Sequence, residues 1–141
     1  MEARIDLTKE YGLVLEGGGA KGAYQIGAWK ALKEAGVKIK GIAGTSVGAL
    51  NGALICMGDI ETAENLWKNI SYSKIMSVDD EVVEKVFQHK KISREELRGM
   101  TERLAGGGLD VTPLKELIAQ SIDEEKIQNS PIDLYVLTFS V

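Results

Sequence analysis

The sequence predicts an α/β fold with parallel strands and helices packed on the sheet. Three observations carry this. Strand-like and helix-like runs alternate through the first part of the chain. Both early strand-to-helix turns are rich in glycine. A further apolar run, "PIDLYVLTFSV", lies near the C-terminus. Alternation of this kind is the pattern of βαβ units.

The chain has 141 residues, of which 44% are hydrophobic and 27% charged. That length suggests one domain, 1–141, long enough to bury a sizeable core. The formal net charge is −4, and no Lys/Arg stripe dominates any segment, so nucleic acid is not an expected partner. One cysteine, Cys56, excludes an intrachain disulfide and a cysteine-rich zinc site. The N-terminus lacks the basic-then-apolar layout of a signal peptide, and no apolar run reaches the ~18 residues of a spanning helix. The chain is expected to be soluble and cytoplasmic, with no metal and no cofactor.

Tyr11, Leu13, Val14 and Leu15 form a compact apolar run that stops at Gly17 and reads as a buried strand. Ala23, Ile26, Ala28 or Trp29, and Leu32 then recur at helical spacing, with Gly36 placed as a C-terminal cap. "VKIKGIAG" alternates apolar residues with lysine as a second strand, and "VGALNGALICMG" is an apolar helix ended by Gly58. "DIETAENLWKNI" predicts a helix capped by Asp59 with Leu66, Trp67 and Ile70 inward. "DEVVEKVFQHKKI" and "SREELRGMTERLAGGG" also read as helical, the second opened by a Ser93/Glu96 capping box and stopped at Gly106 to Gly108. In "TPLKELIAQSI", Thr112 is the expected cap and Pro113 the first helical residue. "DEEKIQNSP" reads as a solvated loop, and the closing run as a third buried strand. Such a strand wants cover on both faces, so the sequence is expected to be the front part of a larger domain.

Gly44-Thr45-Ser46-Val47-Gly48 fits G-x-S-x-G. In that motif a serine sits on a sharp strand-to-helix turn with its hydroxyl exposed and bare flanks. The following helix aims its N-terminal N–H groups at the serine. Five letters are a weak pattern, and a turn that merely uses small residues is the competing account. The second glycine cluster is "EGGGAKG", in which Gly17, Gly19 and Gly22 satisfy G-x-G-x-x-G. A dinucleotide fold would need an acid at the end of the second strand, but that strand ends in Ile42-Ala43-Gly44. The spacing around Lys21 is not that of a P-loop. The other reading is an oxyanion hole, because consecutive glycines free several N–H groups to point at one anion. Both turns would emerge at the carboxyl ends of parallel strands and share one crevice. That convergence favours acyl transfer, with a nucleotide-binding α/β domain as an alternative.

Gly17-Gly18-Gly19-Ala20-Lys21-Gly22 on the first turn and Gly44-Thr45-Ser46-Val47-Gly48 on the second together resemble a patatin-like phospholipase. "GLDVTPLKELI" and the closing strand resemble that family more loosely. The resemblance implies a three-layer α/β/α fold and a lipid acyl hydrolase with a Ser–Asp dyad. It makes Ser46 the nucleophile and Gly17, Gly18 and Gly19 the oxyanion loop, with Lys21, Gly22, Gly44 and Gly48 as motif support. The family's dyad Asp lies in a later Asp-Gly motif. None of Asp6, Asp59, Asp79, Asp80, Asp110, Asp123 or Asp133 is followed by glycine. The chain is therefore read as the N-terminal portion of a patatin-like domain, inactive alone. A non-catalytic lipid- or partner-binding α/β module is the first alternative, and the nucleotide-binding α/β domain the second. A lipid ester substrate, peripheral membrane contact, and pairing through the last strand with a C-terminal segment or another copy are the expected interactions.

Other candidates have plainer accounts. His89, in "FQHKK", reads as a solvated side chain, although its place after the serine would suit a triad. Cys56 reads as a packed thiol on an apolar helix. The acidic runs at Asp79 to Glu81 and Asp123 to Glu125 lack calcium-loop spacing and read as helix starts. Trp29, Trp67 and Tyr72 are candidates for lipid contact, but aromatic residues at helical spacing are more often core.

Overall fold

Parallel strands β1 (Glu10–Leu15), β2 (Lys38–Thr45) and β3 (Asp133–Leu137) form a sheet in the order β1-β2-β3. The computed structural model describes residues 5–75, 78–88, 91–105 and 110–139. The chain divides into two compact units, Met1–Lys68 with Ile122–Val141, and Asn69–Ser121.

The first unit holds the sheet. Leu13, Ile42 and Leu134 are in register across the three strands and turn the same way. They pack against Ile26 and Trp29 of α1 (Gly22–Glu34), Leu54 and Ile55 of α2 (Val47–Met57) and Ala63 of α3 (Ile60–Lys68). The α1 stripe differs from expectation by one residue. Gly22, Ile26 and Trp29 are buried, whereas Ala23 is exposed. Gly36 and Gly58 adopt the left-handed backbone that ends α1 and α2, as the sequence predicts. Asp59 caps α3, its carboxylate accepting from the Thr62 N–H at 3.0 Å. Lys30 of α1 and Glu64 of α3 pair at 2.6 Å. The Lys30 hydrogen bond holds the Glu64 carboxyl below its ordinary range. Cys56 is buried and bonds to the Ile132 carbonyl, and burial pushes its thiol up.

The expectation of strands buried on both faces is corrected. On the opposite face, Val14, Ala43 and Tyr135 are in register, and Val14 is 86% exposed. Tyr135, Val136 and Leu137 of β3 are exposed as well. The cause is topological. Both crossovers advance in the same direction across the sheet, and right-handed connections then place α1, α2 and α3 of the first unit on one face.

Two further readings change. "DEEKIQNSP" is not a plain loop, because it contains α7 (Glu124–Gln128). Asp123 caps it, accepting from the Lys126 N–H at 3.1 Å, and Ile127 packs on the core. In the second unit, α6 spans Thr112–Ser121, but Thr112 is inside the helix. The first helical bond runs from the Lys115 N–H to the Val111 carbonyl. The Asp110 carboxylate takes the capping part, accepting from the Thr112 N–H and hydroxyl. A carboxylate two residues upstream offers the free N–H a stronger acceptor than the hydroxyl. Pro113 is consequently the second helical residue.

The second unit also contains α4 (Asp80–Phe87) and α5 (Arg94–Ala105). The predicted capping box is present. The Glu96 N–H donates to Ser93 Oγ, and the Ser93 N–H to Glu96 Oε2. Glu96 also meets Lys85 of α4 at 2.7 Å. The Lys85 bond, with those from Ser93, lowers the Glu96 carboxyl from 4.5 to about 2. A depressed carboxyl stabilises the fold above its unfolded pKa and loses that effect as pH falls through the folded value. The thermal midpoint of Glu96→Gln should therefore lie below that of the native chain at neutral pH. The gap should narrow as pH falls from 4.5 toward the folded value of about 2 and close only below it. A pH-independent gap in a melting series would remove the ion pair as its cause. His89 and the stop at Gly106 to Gly108 lie outside the described residues.

Candidate active site

Ser46 is the junction between β2 and α2. Its backbone sits at φ 52, ψ −128, and it is the one non-glycine residue with positive φ among those described. A side chain in this region is strained by about 1–3 kcal/mol, and such strain persists only where the surroundings impose it. Here the imposing neighbours are backbone. A Cβ on Gly44 would overlap the Gly48 carbonyl group, and one on Gly48 would overlap the Leu15 carbonyl oxygen. The strand end, the turn and the first turn of α2 thus touch main chain to main chain. Only glycine permits that approach at positions 44 and 48.

The glycine loop meets the same turn. A Cβ on Gly17 would lie 3.1 Å from Ser46 Cβ and 3.8 Å from Ser46 Oγ, so the loop backbone lies against the serine side chain. Gly18 and Gly19 have φ of 149 and 54, and Gly19–Lys21 form a short 3-10 turn leading into α1. Neither the Gly17 nor the Gly18 N–H has a hydrogen-bond partner among the described residues. At the start of α2 the Val47 and Gly48 N–H groups have no intrahelical acceptor, as in any helix. Lys21 folds back over Gly18, its Cδ 3.3 Å from where a Cβ would be. Gly22 is filled from outside by the Trp67 ring and by Val47 Cγ2, the latter 2.6 Å from a Cβ position. All the residues singled out from the two motifs therefore converge on one corner of the first unit. A cleft of about 470 Å³ runs beside the loop, between β1 and α1, with Glu16 and Lys21 among its lining and Leu13, Trp29 and Leu32 along its wall.

The serine hydroxyl has no hydrogen-bond partner among the described residues. The aspartates are placed elsewhere. Asp6, Asp59, Asp79, Asp80, Asp110 and Asp123 each accept from backbone N–H groups close in sequence. Asp133 pairs with Gly41 in the middle of β2. At 3.3 Å per residue that is roughly 16 Å along the strand from Ser46. No Asp within the first unit is placed as a base for Ser46. Among the described residues no group of three or more His, Cys, Asp or Glu side chains could hold a metal ion. No helix among them is long and apolar enough to cross a membrane.

One buried polar residue was not singled out from the sequence. Asn51, on the apolar helix α2, is fully buried. Its Nδ2 donates to the Gly22 carbonyl at 2.9 Å and to Gln25 Oε1 at 2.8 Å, and its Oδ1 accepts from Trp67 Nε1 at 2.8 Å. The available signal was a lone amide inside "VGALNGALICM", since an Asn there must find partners.

Ser46, with positive φ at a strand-to-helix junction beside a glycine loop, fits the strand–turn–helix setting of the G-x-S-x-G motif. The family model for patatin-like phospholipases matches residues 13–138, and the chain belongs to that family of lipid hydrolases. The chain is 61% identical over 52 residues to lysophospholipase nte1 of Aspergillus terreus, a match covering 37% of this chain and 3% of that protein. It is 60% identical over 45 residues to neuropathy target esterase sws of Drosophila persimilis and of Drosophila grimshawi, covering 32% of this chain and 3% of each relative. The matched segment is thus a small part of these long proteins. No solved structure gives a significant match.

Proposed function

We propose that Ser46 is the nucleophile of a lipid-ester acyl hydrolase and that Gly17, Gly18 and Gly19 form its oxyanion loop. The carrying observation is the left-handed Ser46 backbone with the Gly17 main chain against its side chain. In this reading Ser46 Oγ attacks the ester carbonyl and its proton passes to a carboxylate base. The carbonyl oxygen becomes an oxyanion held by loop N–H groups and by the Val47 N–H. Collapse expels the alcohol, which takes the proton, and leaves an acyl-serine. Water then attacks the acyl-serine, returns its proton to Ser46 through the base, and frees the fatty acid. The apolar wall of the adjacent cleft suits an acyl chain. The names of the relatives, a lysophospholipase and an esterase, agree with this substrate class.

The base is proposed to come from a carboxylate outside this 141-residue chain. Loss of a general base costs about 100-fold or more, so the chain alone should show no ester turnover above background. The serine turn and its oxyanion loop should still react once, slowly. Incubation with a fluorophosphonate, read by intact mass, should give slow 1:1 phosphonylation with loss of fluoride. Ser46→Ala should abolish it. A folded chain that takes no adduct, or an adduct that survives Ser46→Ala, would overturn the assignment.

A further inference from the structure

The geometry points to Gln25, held by Asn51, as the positioning residue that sets the direction of the Gly17 N–H. The inference rests on the reading of the glycine loop as an oxyanion loop, but its geometry stands by itself. Gln25 Nε2 donates to the Glu16 carbonyl at 2.8 Å. The Glu16–Gly17 peptide is trans, since no cis bond occurs among the described residues. In a trans peptide the C=O and N–H point in opposite directions. Pinning the Glu16 carbonyl therefore aims the Gly17 N–H the other way. The first turn of α2 closes on the same carbonyl, for a Cβ on Gly48 would lie 2.8 Å from the Glu16 oxygen.

The Gln25 amide is itself fixed in one orientation. Its Oε1 accepts from Asn51 Nδ2, which leaves Nε2 for the Glu16 carbonyl. The Asn51 amide cannot be reversed either. Trp67 Nε1 can only donate, so it requires Oδ1 on its side. The Gly22 carbonyl can only accept, so it requires Nδ2 on the other. The donors thus run one way, from Trp67 to Asn51 to Gln25 to the Glu16 carbonyl. Reversing the Asn51 or the Gln25 amide would leave a polar group of the fully buried Asn51 side chain unpaired. The relay joins α3, α2 and α1 to the residue immediately before the loop.

Gln25→Glu isolates the link. The new carboxylate still accepts from Asn51 but cannot donate to Glu16. Gln25→Leu removes both bonds, and Gln25 is only partly buried, so both variants should fold. The readout is the one-bond N–H residual dipolar coupling of Gly17 in the 15N-labelled full chain. At neutral pH both variants should shift the Gly17 coupling while those of β2 and α2 hold. In Gln25→Glu the coupling should return toward the native value as pH falls through the introduced carboxyl's pKa, because the protonated acid can donate. Fluorophosphonate labelling of Ser46 should slow at least about tenfold in both variants at neutral pH, given that one oxyanion donor is worth about 100-fold or more. An unmoved Gly17 coupling in both variants overturns the positioning role. A moved coupling in a protein whose native Ser46 takes no label supports the positioning role and instead overturns Ser46 as nucleophile.

Discussion

Ser46→Gly should make the protein more stable and chemically silent at once. The native serine holds φ 52, ψ −128, a region that an L side chain enters at a cost of about 1–3 kcal/mol. Glycine enters it freely, but a more flexible unfolded chain returns roughly 0.5–1 kcal/mol of that gain. A net stabilisation of about 1 kcal/mol is expected. Loss of the Ser46 Cβ also relieves the close approach of Gly17. Ser46→Ala keeps the Cβ and so keeps the strain; it should lose labelling without the gain in stability. Denaturant melts followed by tryptophan fluorescence can test this, because Trp29 and Trp67 both lie in the first unit. If Ser46→Gly proves less stable than Ser46→Ala, the turn is not strained and the main support for a nucleophile there is gone.

What the sequence could disclose divides along a physical line. The β1–α1–β2–α2 order was legible because alternating and helical spacings are local. Gly44, Ser46 and Gly48 were legible because the turn needs bare flanks within two residues of its centre. The same holds for the Ser93/Glu96 box and the left-handed caps at Gly36 and Gly58. The Asn51 relay was not legible, since its partners lie 29 and 26 residues away and Trp67 another 16. Nothing near Asn51 in the sequence says which groups it must satisfy. The short α7 offers one inward apolar residue, Ile127, which is too little periodicity to read. The exposed face of β3 is invisible for a different reason. A run such as Leu-Tyr-Val-Leu reads the same whether or not a neighbouring layer covers it. The direction in which successive crossovers advance decides that, and local pattern does not encode it.

Gly48→Ala should cost the first unit about 3 kcal/mol or more, the upper part of the range for overpacking. The added methyl would overlap the Leu15 carbonyl oxygen and stand 2.7 Å from the Leu15 carbonyl carbon. Neither side has a flexible end that can swing away. Leu15 is paired in register with Gly44 at the end of β1, and Gly48 is in the first turn of α2. Relief requires α2 to move off the sheet, which would open the contact between Gly17 and Ser46 and disturb Leu54 and Ile55 in the core. Gly27→Ala supplies the contrast. Gly27 lies within α1, is exposed, and has nothing within 4 Å of a Cβ. There alanine should stabilise by roughly 0.5–1 kcal/mol through helix propensity alone. Opposite signs for the same methyl, read in parallel denaturant melts, separate a glycine needed for close approach from one that is merely present. Equal and small effects would mean that the α2 start is loosely seated, and the glycine loop could not then be held against Ser46 by this contact.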